Sequence, residues 1–142
     1  MQQWKEDRMG YLLDTNIVSA IINGNQRLSA KSIELNNIGE SLFISCITYY
    51  EAKRGLLAVN ATRKMSIFSD FCASVEILFL DDMAIIETAS RIHADLKQRG
   101  RPIQDADILI ASTAIARSLT LVSNDSDMQR VPGVMVENWL EK

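Results

Sequence analysis

The stretch Asp105–Ser118 constrains this chain more than any other. Its spacing is helical, and Ile108, Leu109, Ile110, Ala111, Ala114 and Ile115 leave it almost no polar face. A helix of that kind must be buried on most sides. The other helical stretches are Thr15–Asn23, Arg27–Ile38, Thr48–Ala58, Ala61–Cys72 and Asp82–Arg99, with a helical turn over Asp125–Arg130. Arg27–Ile38 carries apolar Leu28, Ile33, Leu35 and Ile38, and on the amphipathic Asp82–Arg99 the residues Ile85, Ile86, Ala89, Ile92, His93 and Leu96 form one stripe. Between them lie short apolar runs without clean alternation: Gly10–Leu13, Ser41–Cys46, Val75–Leu80, Leu119–Ser123 and Val134–Glu137. Strands that are apolar on both faces and alternate with helices belong to a parallel sheet covered on both sides. The expected fold class is therefore α/β, three layers α/β/α, around a central parallel sheet of about five short strands.

Composition removes several chemistries. His93 is the only histidine, and Cys46 and Cys72 are the only cysteines, so a zinc site of His and Cys ligands has too few donors. The two cysteines lie among apolar neighbours and read as buried free thiols. No apolar run approaches the roughly 18 residues of a membrane span. The first eight residues are charged and lack the apolar core of a signal peptide, so a cytoplasmic location is expected. Met9 follows them as an alternative start, which makes 1–8 a possible N-terminal extension and 9–142 a single domain. The formal net charge of -3 argues at first against a nucleic-acid partner.

The acidic residues change that impression. In open parallel sheets, functional groups gather beyond the carboxyl ends of the strands. Asp14 follows the first strand candidate, Glu51 the second and Asp125 the fourth, while Asp107 opens the buried helix. Taken singly, each reads as a helix cap, and Thr48 with Glu51 has the spacing of a capping box. Together they would crowd like charges where desolvation is costly. A divalent cation relieves both problems, and oxygen-only donors favour Mg²⁺ or Mn²⁺. The chemistry that fits is metal-assisted phosphodiester hydrolysis, in which bound ions acidify a water and stabilise the leaving oxygen. Asp14, Glu51 and Asp107 would ligate, and Asp125 would complete a weaker second position or orient the water. Thr15, Asn16 and Ser123 would hold the carboxylates in place.

These residues resemble a known family. Tyr11-Leu-Leu-Asp-Thr-Asn16 resembles the opening motif of PIN domains. Ile47-Thr-Tyr-Tyr-Glu-Ala-Lys-Arg-Gly55 resembles the second acidic motif, and Gly100–Ser112 the third, with Asp107 at the metal-ligand position. Leu121-Val-Ser-Asn-Asp125 resembles the fourth, with Ser123 in place of the usual Thr. The tail Arg130–Trp139 is similar to that of VapC-type toxins of toxin–antitoxin pairs. The resemblance spans about residues 9–142. It implies a PIN fold and a Mg²⁺- or Mn²⁺-dependent single-strand endoribonuclease that cuts transfer or ribosomal RNA. It also implies dimerisation, or a hetero-oligomer with a cognate VapB-type antitoxin that inhibits the enzyme. Asp105 departs from the family pattern and reads as an N-cap; Asp127 either caps or supplements the metal site.

An RNA substrate needs cations for its phosphates. Lys53, Arg54, Arg99 and Arg101 lie beside the second and third motifs and are the leading candidates, ahead of Arg63, Lys64 and Lys97. Tyr49 and Tyr50 offer rings for base stacking, with one of them packing in the core. Met65, Phe68 and Phe71 are mostly core but offer some surface for an antitoxin helix. Two other readings remain at this point. One is a PIN-type RNA-processing or DNA-repair nuclease without an antitoxin; the other is a non-catalytic binding module.

Overall fold

The computed structural model describes residues 10–140. The possible extension over 1–8 lies outside the described residues. The chain runs β1 (Tyr11–Leu13), α1 (Thr15–Ile22), α2 (Gln26–Asn37), β2 (Leu42–Ser45), α3 (Cys46–Ala58), α4 (Thr62–Ala73), β3 (Glu76–Leu78), α5 (Met83–Gln98), α6 (Asp105–Ala116) and β4 (Thr120–Val122). A 3₁₀ turn (Ser126–Arg130) and β5 (Val136–Glu137) follow. The five strands form one sheet in the order β3-β2-β1-β4-β5. Every neighbouring pair is parallel.

Both faces of the sheet are dry, which explains the unalternated strand sequences. Leu13, Ile44 and Val122 join a core with α1, α2 and α4 residues such as Ile17, Leu28 and Phe68. Their neighbours Leu12 and Leu121 face the opposite way, into a second core built by α5 and α6. Successive side chains point to opposite faces, so a strand buried on both sides is apolar throughout.

Helix α6 is buried as its sequence demands, and its two hydroxyl side chains are satisfied within the helix. Ser112 Oγ donates to the Ile108 carbonyl at 2.7 Å, and Thr113 Oγ1 to that of Leu109 at 2.8 Å. Bonding back to the i−4 carbonyl lets a hydroxyl sit in an apolar core.

Several local expectations are corrected. On α5, Ile85, Ala89, Ile92 and Leu96 are buried, but the His93 side chain is 52% exposed. Those four residues already complete a stripe of helical period, and His93 lies one residue off it. On α2, Leu28, Ser32 and Leu35 face inward, while Ile33 and Ile38 are exposed. Cys46 and Cys72 are only partly buried.

The chain passes from β1 to β2 to β3 on one side, then returns through α5 and α6 to place β4 on the other side of β1. That reversal opens a crevice at the carboxyl ends of β1 and β4, where α/β folds carry their sites.

Candidate functional site

Asp14 is the residue immediately after β1 and the N-cap of α1. Its backbone N–H is tied to the Val122 carbonyl of β4 at 2.9 Å, and only 3% of the residue is exposed. Oδ1 accepts from the Thr15 N–H at 2.8 Å, and Oδ2 accepts from Ser123 Oγ at 2.7 Å. Burial raises its pKa above the usual carboxylate value; the Ser123 and Thr15 bonds oppose that shift, and Asp125 and Glu51 add to it.

Glu51 reaches the same place from the second turn of α3. Thr15 Oγ1 donates to Glu51 Oε1 at 2.7 Å and lies 2.9 Å from Thr48 Oγ1. Since the Thr15 proton goes to Glu51, Thr48 is the donor in the second contact. The capping box expected from Thr48 and Glu51 is absent. Helix α3 starts earlier, at Cys46, and Ser45 is its N-cap, with Oγ accepting from the Ile47 N–H. Thr48 and Glu51 are thereby freed from the helix end for the site, and buried Thr48 joins it through Thr15, although its sequence pattern is that of a cap.

Ser123 is the hub on the other side. It donates to Asp14 and accepts from the Asp125 N–H at 3.0 Å, with Asn16 Nδ2 at 3.5 Å. Asp125 then N-caps the 3₁₀ turn, its Oδ1 accepting from the Asp127 N–H at 2.9 Å. The cap is Asp125, not Asp127. Asp127 instead pairs with Arg130 at 2.9 Å. Arg130 also donates to the Pro102 carbonyl at 3.4 Å, which links the turn to the loop before α6. No local sequence pattern signals that role of Arg130.

Asp107 lies in the first turn of α6. Its pKa is raised to about 6, first by desolvation and then by Asp14, Asp125, Glu51 and Asp127. Five carboxylates thus act on one another at one end of the sheet. Asp105 stands apart. It is the first residue of α6 rather than its N-cap, because the Gln104 carbonyl already accepts the first helical bond from Ile108. Its carboxylate is 88% exposed and faces His93 at 3.9 Å.

The donor set consists of carboxylate, hydroxyl and amide oxygens, and the buried Asn16 Oδ1 has no hydrogen-bond partner. These oxygens suit a hard divalent cation. No three acidic, His or Cys side chains among the described residues are already disposed to hold an ion together.

The candidate RNA-binding cations behave differently from one another. Arg99 pairs with Asp95 on its own helix. Lys53 lies over the Tyr49 ring, and Tyr49 packs on Phe68 with ring centroids 5.2 Å apart. Arg54 stacks 5.0 Å over Tyr50, which is exposed. Arg101 is exposed, as are Arg63, Lys64 and Lys97.

The PIN domain model matches residues 11–134, which carry the whole of this site. The chain belongs to the PIN-domain family. This PIN domain is 30% identical over 131 residues to the "tRNA(fMet)-specific endonuclease VapC" of Salmonella typhimurium, an alignment covering 91% of this chain and 97% of the relative. It is likewise 30% identical over 139 residues to "Ribonuclease VapC2" of Rickettsia felis, covering 92% and 98%. Among solved structures, the PIN domain superposes on VapBC2 from Rickettsia felis bound to a DNA fragment from their promoter with a TM-score of 0.85. Identity is 29%, and 92% of this chain and 99% of the other are covered. DNA-bound VapBC from Salmonella typhimurium gives a TM-score of 0.81 at 26% identity, covering 92% and 98%.

Proposed function

We propose that this PIN domain is a Mg²⁺- or Mn²⁺-dependent single-strand endoribonuclease and the toxin of a toxin–antitoxin pair. One observation carries the reading. Asp14, Glu51, Asp107 and Asp125 come from four separate parts of the chain to one end of the sheet, where burial first, and then repulsion from the other carboxylates, raises the Asp107 pKa to about 6. Carboxylates so arranged destabilise the protein unless a cation or a proton joins them.

In this reading Asp14, Glu51 and Asp107 hold the cation, and Asp125 completes a second position or orients water. Bound there, the ion supplies a Lewis acid that acidifies water and offsets charge on the leaving oxygen. Ser123 and Thr15 fix the Asp14 and Glu51 rotamers through the bonds described above. Asn16 offers its unpartnered Oδ1. Asp127 is neutralised by Arg130 and is left out of the ligand set. Lys53, Arg54 and Arg101 remain candidate phosphate contacts, and Arg99 would first have to leave Asp95.

The relatives' names support RNA as substrate, and one of them names a transfer RNA; transfer or ribosomal RNA is the class proposed for this chain. The VapBC neighbours support a VapB-type antitoxin as partner, in a homodimer or a hetero-oligomer with it. None of the described helices is long and apolar enough to cross a membrane; a cytoplasmic location and a single PIN domain over 9–142 complete the proposal.

The test is expression of the wild type and of Asp14→Ala, followed by growth and by RNA cleavage with Mg²⁺ or Mn²⁺. Growth arrest and cleavage are expected from the wild type alone, and rescue on co-expression of the antitoxin. Equal toxicity of the two forms sinks the catalytic assignment.

A further inference from the structure

Arg130 makes two bonds that lead to different parts of the fold. It closes the 3₁₀ turn Ser126–Arg130, of which Asp125 is the N-cap. Its Nη1 donates back to Asp127 Oδ1 at 2.9 Å. Its Nη2 donates to the Pro102 carbonyl at 3.4 Å, across 28 residues of sequence. Nε is buried and has no hydrogen-bond partner among the described residues. Only 28% of the side chain is exposed. A guanidinium tied at both tips and dry at its stem is held in one place.

Both anchors lead to carboxylates of the candidate site. The turn that Asp125 caps is pinned by Met128 and Val131, which are buried in the core built by α5 and α6. Pro102 lies in the segment between α5 and α6, shortly before Gln104, whose carbonyl accepts the first bond of α6 from Ile108. Gln104 is the N-cap of α6, but its side chain makes no capping bond. The first N–H groups of a helix have no partner within it, so an uncapped first turn is its least restrained part. Asp107 sits in that turn. Arg130 is therefore a brace between the turn headed by Asp125 and the approach to the turn that carries Asp107. The planar fork of arginine suits it to join two oxygens rigidly; a lysine ammonium is a single point charge on a flexible stem.

We infer that Arg130 is a positioning residue of the cation site, setting the separation of Asp125 and Asp107 by bridging the 3₁₀ turn and the segment before α6. The inference rests on the metal-dependent reading proposed above and adds to it a residue outside the four acidic motifs. Charge alone predicts the opposite effect on metal binding. An arginine beside a group of carboxylates repels a divalent ion, so its removal should tighten binding. A bridge that places ligands reverses that sign: its removal loosens binding although a repulsive charge has gone.

The test reads the metal directly. Mn²⁺ is titrated into the full chain without RNA, and the ion left free is followed by its electron paramagnetic resonance signal. The variants are Arg130→Gln, which removes charge and bridge, and Arg130→Lys, which keeps the charge but lacks the fork. Asp107→Asn serves to locate the ion, and thermal melting of each variant in EDTA checks its fold. Both Arg130 variants are expected to bind Mn²⁺ on the order of tenfold more weakly, the usual cost of losing a residue that orients a ligand. A purely structural role lowers the melting temperature and leaves Mn²⁺ affinity unchanged, and that result overturns the inference. Tighter binding by Arg130→Gln also overturns it, because charge then accounts for the change. So does full affinity in Arg130→Lys, because a charge then suffices without the bridge; this variant decides alone where Arg130→Gln does not fold. A wild type that binds no Mn²⁺, or binds it equally well after Asp107→Asn, instead overturns the metal reading itself, and the inference with it.

Discussion

Ser123 Oγ donates to Asp14 Oδ2 at 2.7 Å across 109 residues of sequence. This bond joins the ends of β1 and β4 and holds the most deeply buried carboxylate of the site in one rotamer. Ser123→Ala is expected to destabilise the protein by about 1–3 kcal/mol, the cost of a buried acceptor left without its donor. Because the bond lowers the Asp14 pKa, its loss raises that pKa further. The acid limb of the pH–rate profile for RNA cleavage should move to higher pH. Ser123→Thr keeps the hydroxyl and should keep the profile.

Asp107 supplies a pH dependence with a definite sign. Its folded pKa, about 6, stands above the ordinary carboxylate value of 3.8. The folded protein therefore binds this proton more tightly than the unfolded chain does, and stability falls as pH rises between those two values. Asp107→Asn should raise the melting temperature of the metal-free protein at pH 8, and the gain should vanish below pH 4. Since Asp107 is only half-buried, solvent reduces the size of the effect.

Metal should reverse that trend. Mg²⁺ or Mn²⁺ is expected to raise the wild-type melting temperature at pH 8, with an increment that grows with ion concentration. The increment should shrink as pH falls through about 6 and protons compete for Asp107. It should be absent in Asp107→Asn. Scanning calorimetry with and without EDTA decides this, and a metal effect that persists in the variant would place the ion elsewhere.

Thr15 and Glu51 should act as a unit. Thr15→Val removes the hydroxyl that Glu51 accepts from, and Glu51→Gln weakens the same bond from the other side. A double-mutant cycle in urea should give a coupling of roughly 1 kcal/mol. Cleavage by Thr15→Val should fall without loss of fold.

Gly10 sets the entry to β1. Its φ is +139°, and an added Cβ would sit 2.4 Å from the Ser41 carbonyl oxygen, which also accepts from the Tyr11 N–H. Gly10→Ala is expected to cost roughly 3 kcal/mol or more, read as a lower urea midpoint.

The fold and the acids were legible in sequence for physical reasons. Apolar strands between amphipathic helices leave few arrangements other than a covered parallel sheet, and Asp107 at the head of so apolar a helix had to be explained. Junctions were less legible. Thr48 and Glu51 carry a cap pattern, yet Ser45 caps α3 directly at the end of β2, because strand and helix meet with no loop. Asp105 looks like a cap until the Gln104 carbonyl is seen to start the helix. The bond from Arg130 to the Pro102 carbonyl, and that from Ser123 to Asp14, join segments distant in sequence. No local pattern carries them.

The position of β1 between β2 and β4 also has a consequence for synthesis. The first two acids, Asp14 and Glu51, emerge early, but β1 lacks its β4 neighbour, and Asp14 its serine, until residues 120–123 have been made. An incomplete chain on the ribosome therefore has no assembled crevice.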